Sequence, residues 1–216
     1  MLFRNLKYCS SLIICVFLLL SCNKGEITYE FEGKVSGSVN GSSLAGVNVT
    51  ISQVLFSSSV ANYNYQLAGS AVTDAAGDWA ISFTREKVTD FRIAIQKDGY
   101  FKELIEFTSG EATVADPNVH NVTLDAEAWI KFDIKNVGPL PSDVMTMVLI
   151  NFREGCVGCG TNGNYSFDGI VDTNIIYKTT GGRYTRFQFN NQTTSSLLDD
   201  SLLTIPSDTV YYTYYY

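Results

Sequence analysis

A two-residue alternation of apolar and polar side chains runs through several stretches of this chain. Apolar residues occupy every second position in residues 79–83, 91–95 and 130–134. Successive side chains of a strand point to opposite faces, so this period gives each stretch one face to bury. Beyond residue 22, no segment of more than a few residues has helical apolar spacing. With 13 Phe, 13 Tyr and 2 Trp, which suit strands, the chain is predicted to be all-β.

About seven short strands are predicted between residues 27 and 124. Asn40-Gly41 and Asp98-Gly99 are tight-turn signals, and Gly77 stands in a turn where a positive φ is expected. Short strands at regular spacing, separated by such turns, are typical of a β-sandwich.

Four motifs in this segment occur in an order that resembles the transthyretin-like domains, also called carboxypeptidase regulatory-like domains. They are Phe31-x-Gly33-x-Val35, Leu44-Ala45-Gly46-Val47-x-Val49, Thr73-Asp74-x-x-Gly77-x-Trp79 and Lys97-Asp98-Gly99-Tyr100. The resemblance implies a seven-stranded sandwich over about residues 29–125, with a structural or recognition role and no catalytic set. The insert at residues 57–64 departs from the shortest members of that family.

The strand pattern restarts at about residue 126 and predicts a second β-sandwich over residues 126–216. Residues 145–152 are nearly all apolar, which favours a central strand buried on both faces. Almost no linker separates the two predicted domains, so we expect them to dock. In outline the arrangement resembles two-domain surface lipoproteins of Gram-negative glycan-uptake systems.

The start of the chain has the pattern of an export signal. Arg4 and Lys7 precede an uncharged apolar run over residues 12–20, which Ser21 and Cys22 close. This run is too short for a transmembrane helix, which needs about 20 apolar residues. A buried helix of a globular domain would have polar residues at helical period, and this run has none.

Leu19-Leu20-Ser21-Cys22 is similar to the lipobox of bacterial lipoproteins. That resemblance implies a signal peptide over residues 1–21, a lipid on Cys22 and a lipidated tether over residues 22–28. The expected location is the cell envelope, with the protein anchored in a membrane, the outer membrane being the expected one.

The charge of the exported part limits its partners. Without Arg4 and Lys7, 13 basic residues face 22 acidic ones, a net charge of −9. A nucleic-acid partner would require a basic patch, and an anionic bilayer surface would repel this body. We expect no nucleic-acid partner.

Three groups of residues are candidates for a catalytic, redox or metal site. His120 is the chain's single histidine and has no nucleophile near it in sequence, which favours a structural role. Cys156 and Cys159 have the spacing of a redox motif but lie among glycines and strands. They are predicted to form a local disulfide; the alternatives are free thiols, a metal site or a redox site. Asp74 and Asp78 flank a glycine, and a turn accounts for them better than a calcium loop does.

Five tyrosines crowd residues 211–216. In a strand, Tyr212, Tyr214 and Tyr216 share one face, and Tyr211 and Tyr215 share the other. We assign Tyr212, Tyr214 and Tyr216 as candidate ligand-binding rings, since exposed rings can stack on sugars. The alternative is that these rings pack on the core.

Together these patterns predict a surface lipoprotein that binds or scaffolds, as an accessory to glycan or nutrient capture. A glycan or an outer-membrane transporter complex would be its partner, and we expect no enzyme activity, cofactor or metal. The alternative is a structural or adhesive subunit that pairs with protein partners through a sheet edge.

Overall fold

The computed structural model describes residues 26–56, 64–151, 153, 159 and 163–216. The predicted signal peptide, Cys22, Cys156 and residues 57–63 of the predicted insert at 57–64 lie outside the described residues. Throughout the described part the chain is all-β, as predicted, with one short 3₁₀ turn at Ser109–Glu111.

The strands before residue 125 form two facing four-stranded sheets. Their bounds are β1 Thr28–Gly37, β2 Asn48–Leu55, β3 Gln66–Val72, β4 Asp78–Thr84, β5 Val88–Gln96, β6 Glu103–Thr108, β7 Asn118–Val119 and β8 Val122–Leu124. One sheet has the order β4-β1-β7, with β8 also on β1, and the other has the order β3-β2-β5-β6. The segment thus has eight strands where about seven were predicted, and the two short ones, β7 and β8, both pair with β1.

The alternation seen in the sequence places one apolar face of each sheet in a shared core. Phe31, Val49, Ile51, Phe91 and Ile93 are almost fully buried there. Because every second residue points inward, the polar partners of these residues face solvent.

The turn at residues 73–78 forms as predicted. The Asp74 carboxylate accepts hydrogen bonds from the backbone N–H groups of Ala76 and Asp78, at 2.8 and 2.9 Å. Gly77 has φ +80°, and a Cβ there would lie 2.5 Å from the Val35 carbonyl oxygen. The Asp74 carboxylate is therefore engaged in closing the hairpin into β4.

The strands after residue 125 form a second pair of sheets. Their bounds are β9 Glu127–Lys135, β10 Val144–Leu149, β11 Asn164–Asp168, β12 Asp172–Thr180, β13 Tyr184–Asn191, β14 Ser196–Leu203 and β15 Thr209–Tyr215. The sheet orders are β11-β10-β13-β14 and β12-β9-β15. The pair encloses a second core that includes Phe132, Tyr177, Phe187 and Phe189.

The prediction that residues 145–152 are buried on both faces is wrong. In β10, Met145, Met147 and Leu149 are buried, whereas Val144, Thr146 and Val148 are only partly covered. Both faces are apolar in sequence, but only the inner face has a second sheet packed against it.

The two cores meet at a direct joint. β8 ends at Leu124 and β9 begins at Glu127, and Phe101 from the first segment packs into the second core. The backbone N–H of Phe101 donates to the Asp125 carbonyl, at 2.9 Å, and the N–H of Glu127 donates to the Gly99 carbonyl, at 2.8 Å. The two sandwiches therefore dock, as the short connection predicts.

Candidate functional site

The candidate site is the outer face of the three-stranded sheet β12-β9-β15, which we call the aromatic face. The inner face of β9 carries Ile130, Phe132 and Ile134 in the core, so the odd-numbered residues of β9 point outward. The strand register sets the neighbours of these residues in four cross-strand rows. The rows are Lys178–Trp129–Thr209, Ile176–Lys131–Tyr211, Asn174–Asp133–Thr213 and Asp172–Lys135–Tyr215.

Three aromatic rings belong to this face. Tyr211 and Tyr215 are 67% and 63% exposed, and Trp129 is partly exposed in the neighbouring strand. The two tyrosines are four positions apart in the strand, which places their Cα atoms roughly 13 Å apart at about 3.3 Å per residue. Lys131 also lies near this surface, with its Nζ atom 6.0 Å from the Tyr211 ring centroid.

A polar row lies between the two exposed tyrosines. It consists of Asn174, Asp133 and Thr213, aligned across the three strands. Together these side chains offer an amide, a carboxylate and a hydroxyl group. The face therefore combines flat apolar rings with hydrogen-bonding groups between them.

Each lysine of the aromatic face has an acidic partner on it. Lys131 Nζ lies 3.4 Å from Asp133 Oδ1, and Lys135 Nζ lies 2.8 Å from Asp172 Oδ2. The hydrogen bond and the charge of Asp172 raise the pKa of Lys135.

Lys178, the third lysine of the aromatic face, forms an ion pair with Glu127. Three cations thus face three anions, and the surface carries no net charge of its own. This neutrality contrasts with the net charge of −9 that the chain has when Arg4 and Lys7 are left out.

The structure corrects the assignment of Tyr212, Tyr214 and Tyr216 as ligand-facing rings. These side chains follow Val210 on the inner side of β15 and pack against the second core. Tyr214 stacks on Phe189 with 4.1 Å between ring centroids, and Tyr212 meets Phe187 edge-on at 4.6 Å.

Tyr212 is also held by a polar contact. Its hydroxyl donates to Asp200 at 2.7 Å, and burial together with this hydrogen bond raises the pKa of Tyr212. Tyr212, Tyr214 and Tyr216 therefore pack on the core, which is the alternative given for them in the sequence analysis. The sequence pattern had separated the two sets of tyrosines correctly, but it did not show which set faces outward.

The cysteines are only partly described. Cys159 is disulfide-bonded and buried at 5% exposure within the second core. Cys156 lies outside the described residues, so the Cys156–Cys159 pairing stays a prediction. The lipid on Cys22 likewise stays a prediction.

His120 lies in an aromatic stack. Its ring centroid is 5.1 Å from that of Phe107 and 6.1 Å from that of Phe31. Burial lowers the pKa of His120. An imidazole that packs against two phenylalanine rings fits a structural role.

Within residues 26–56, 64–151, 153, 159 and 163–216, no group of three or more His, Cys, Asp or Glu side chains is arranged to hold a metal ion. Over the same ranges, no helix is long and apolar enough to cross a membrane.

Comparison with known proteins gives fold-level likenesses only. No protein-family model matches the chain. No curated protein matches it either. Solved structures that resemble it include the TIE protein of Bacillus anthracis, with a TM-score of 0.38 and 14% identity over 88% of this chain and 34% of that one.

A Streptococcal ancillary pilin is similar with a TM-score of 0.33 and 14% identity, over 87% of this chain and 62% of the pilin. A 3-chlorocatechol 1,2-dioxygenase of Rhodococcus opacus 1CP is similar with a TM-score of 0.34 and 15% identity, over 48% of this chain and 61% of the enzyme. The chain therefore spans about a third of the length of the TIE protein and about three fifths of the other two.

The expectation that the chain has no enzyme activity is contradicted by these likenesses. The matched structures include catechol and hydroxyquinol 1,2-dioxygenases, each with a TM-score of 0.34. The expectation rested on the lack of a catalytic motif along the sequence. Catalytic groups meet in space, and a sequence motif is therefore not needed for them.

Proposed function

We propose that the chain is a lipoprotein of the cell envelope that binds a neutral glycan on the aromatic face. Cys22 anchors the protein in the outer membrane, and the second sandwich carries the aromatic face. Two features of the chain support this proposal: the lipobox-like start, and the exposed rings of Tyr211 and Tyr215 on the same face of one sheet. The exposed ring pair is the observation that carries the choice of ligand.

The chemistry of the face favours a sugar chain. The apolar side of a sugar ring can pack flat on an exposed tyrosine, whose hydroxyl end remains in water. Sugar hydroxyls both donate and accept hydrogen bonds, so they suit the amide, carboxylate and hydroxyl groups of Asn174, Asp133 and Thr213. An open sheet face accommodates an extended chain better than it encloses a small molecule.

The electrostatics of the face favour a neutral ligand. Lys131, Lys135 and Lys178 are each paired with an acid on the same surface. An anionic polymer would have to displace those acids and would meet a body of net charge −9. A neutral polysaccharide encounters neither obstacle.

Affinity electrophoresis tests this proposal. A soluble form starting at Asn23 contains all of the described fold and can be run through gels containing hydroxyethylcellulose, starch, xyloglucan or alginate. We expect retardation by at least one neutral polymer and none by alginate. Changing Tyr211 and Tyr215 to alanine is expected to weaken retardation at least tenfold, a loss of about 1.4 kcal/mol.

The matched control is Tyr184→Ala. Tyr184 is 63% exposed, as Tyr215 is, but lies on β13 in the other sheet. This variant is expected to migrate like the unchanged chain in every gel. Equal losses in the control and the double variant, or no retardation by any neutral polymer, would refute the proposal.

A further inference from the structure

The outermost strand of the second sandwich is a long, regular edge. β14 pairs with β13 through eight consecutive residues, from Ser196 to Leu203, without a register shift. Among the described strands, none pairs with the other side of β14. On that side its backbone groups form no ladder with a described strand, so another strand can pair there.

β14 also lacks the usual protection of an edge. It contains no lysine and no proline, and Leu197, Leu198 and Leu203 are 63%, 37% and 47% exposed. Natural edges are commonly blocked by charges, prolines or bulges, because an open apolar edge recruits further strands.

Both acids of β14 are held by neighbours within the chain. Asp199 binds Arg186 and accepts a hydrogen bond from Gln188 at 3.0 Å. The hydrogen bonds from Arg186 and Gln188 lower the pKa of Asp199 to about 2. Asp200 accepts hydrogen bonds from the Tyr212 hydroxyl and the Ser201 N–H, each at 2.7 Å.

The sequence of this edge is complementary to itself when it runs antiparallel. It reads Ser-Leu-Leu-Asp-Asp-Ser-Leu-Leu. When two copies are aligned about Asp200, Leu197 of each copy faces Leu203 of the other. On the opposite face of the ribbon, Leu198 faces Leu202 in the same way.

We propose that two copies of this chain pair through β14, antiparallel and centred on Asp200, to join two four-stranded sheets into one of eight strands. Such a contact is two-fold symmetric, because each copy offers the same patch. Cross-strand leucine pairs stabilise the contact, as apolar neighbours do within a sheet. The inference is independent of the glycan proposal.

The pair has one unfavourable element, which makes it weak and reversible. The alignment places Asp200 opposite its own copy, and like charges directly opposite one another destabilise a sheet. Asp200→Asn removes that repulsion and leaves a side-chain oxygen for the Tyr212 hydroxyl. We therefore expect Asp200→Asn to lower the dimer dissociation constant at least fivefold in sedimentation equilibrium.

Mixed cysteine variants test the register directly. Leu197→Cys and Leu203→Cys are made separately in the soluble form starting at Asn23. In the proposed register, position 197 faces only position 203 of the other copy. An equimolar mixture is therefore expected to give a covalent dimer on mild oxidation, whereas each variant alone gives no more than the unchanged chain does.

A second measurement tests whether β14 is needed for dimerisation. Leu197→Lys is expected to make the chain monomeric at concentrations where the unchanged chain dimerises. The control is Leu67→Lys on edge strand β3, where Leu67 is 67% exposed. A chain that is monomeric throughout, single cysteine variants that cross-link as well as the mixture, or equal effects of both lysine variants would each overturn the proposal.

Discussion

The guanidinium carbon of Arg153 lies 4.4 Å from the centroid of the Phe101 ring. Lys178 also lies near that ring, at 5.2 Å from the centroid. Arg153 binds Glu103, at 2.8 Å, and Asp125, so it bridges the last strands of the first sandwich and the start of the second. Phe101 is only 7% exposed and is the apolar centre of this joint.

Phe101→Ala is expected to loosen the joint. Truncating a buried phenylalanine removes about 3 to 5 kcal/mol from the free energy of unfolding. Calorimetry of the unchanged chain should give one transition, and the variant should give two, because the sandwiches lose their shared core residue.

The control for this change is Phe56→Ala. Phe56 is 62% exposed, so the effect of its truncation should stay within about 0.5 kcal/mol. An unchanged single transition in Phe101→Ala would contradict the role given to the joint.

His120 should make stability depend on pH near neutrality. Burial lowers its folded-state pKa below the ordinary value of 6.5, so the unfolded chain takes up the proton first as the pH falls. The stabilisation is therefore complete above about pH 6.5 and is lost as the pH falls through and below that value.

Denaturant unfolding at intervals from pH 7.5 to 5.5 measures this loss. His120→Phe keeps an aromatic ring beside Phe31 and Phe107 and removes the titrating group. Its free energy of unfolding should change less over this pH interval. The same slope in both proteins would assign the pH dependence to other groups.

Gly33 allows the backbone of a neighbouring segment to cross β1 closely. A Cβ at this position would lie 1.9 Å from the carbonyl oxygen of His120. Gly33→Ala must therefore push the segment between β7 and β8 away from β1, and a cost of about 3 kcal/mol is expected.

Gly110→Ala is the matched control for this substitution, because the nearest atom to its Cβ would be Thr108 Oγ1 at 3.9 Å. Urea midpoints of the two variants provide the comparison. Equal midpoints would show that β1 tolerates the added methyl group.

Cys22 provides the test of membrane attachment. In Cys22→Ala the site for the proposed lipid is absent, so the chain should move from the membrane fraction to the soluble fraction of lysed cells. A variant that stays with the membrane as before would refute the lipoprotein proposal.

Strand alternation predicted much of the fold but only part of the site. The regular patterns at residues 79–83, 91–95 and 130–134 became β4, β5 and β9, with the expected residues inside. Two-residue periodicity assigns residues to two faces without saying which face is covered. Where both faces of a strand carry apolar groups, as in β10 and β15, the position of the opposite sheet determines which face is buried. That position depends on residues far away in the chain.

One residue of the aromatic face, Trp129, can be predicted to face outward from the sequence alone. Trp129 stands out of phase with the buried Ile130, Phe132 and Ile134, so its outward position followed from the pattern. Its proximity to Tyr211 did not follow, because β9 and β15 are about 80 residues apart in the chain and pair in parallel.

The pairing of β1 has a consequence for how the protein reaches this fold. Phe31 lies beside Asn118, and Val35 lies beside Val122, so β1 gains its second neighbours only from a distant part of the chain. Loops of that length must close before those contacts form, which slows folding. β8 also runs almost directly into β9, so the segment that completes the first sandwich begins the second. Until residues 118–124 pair with β1, one edge of that strand stays open to other strands.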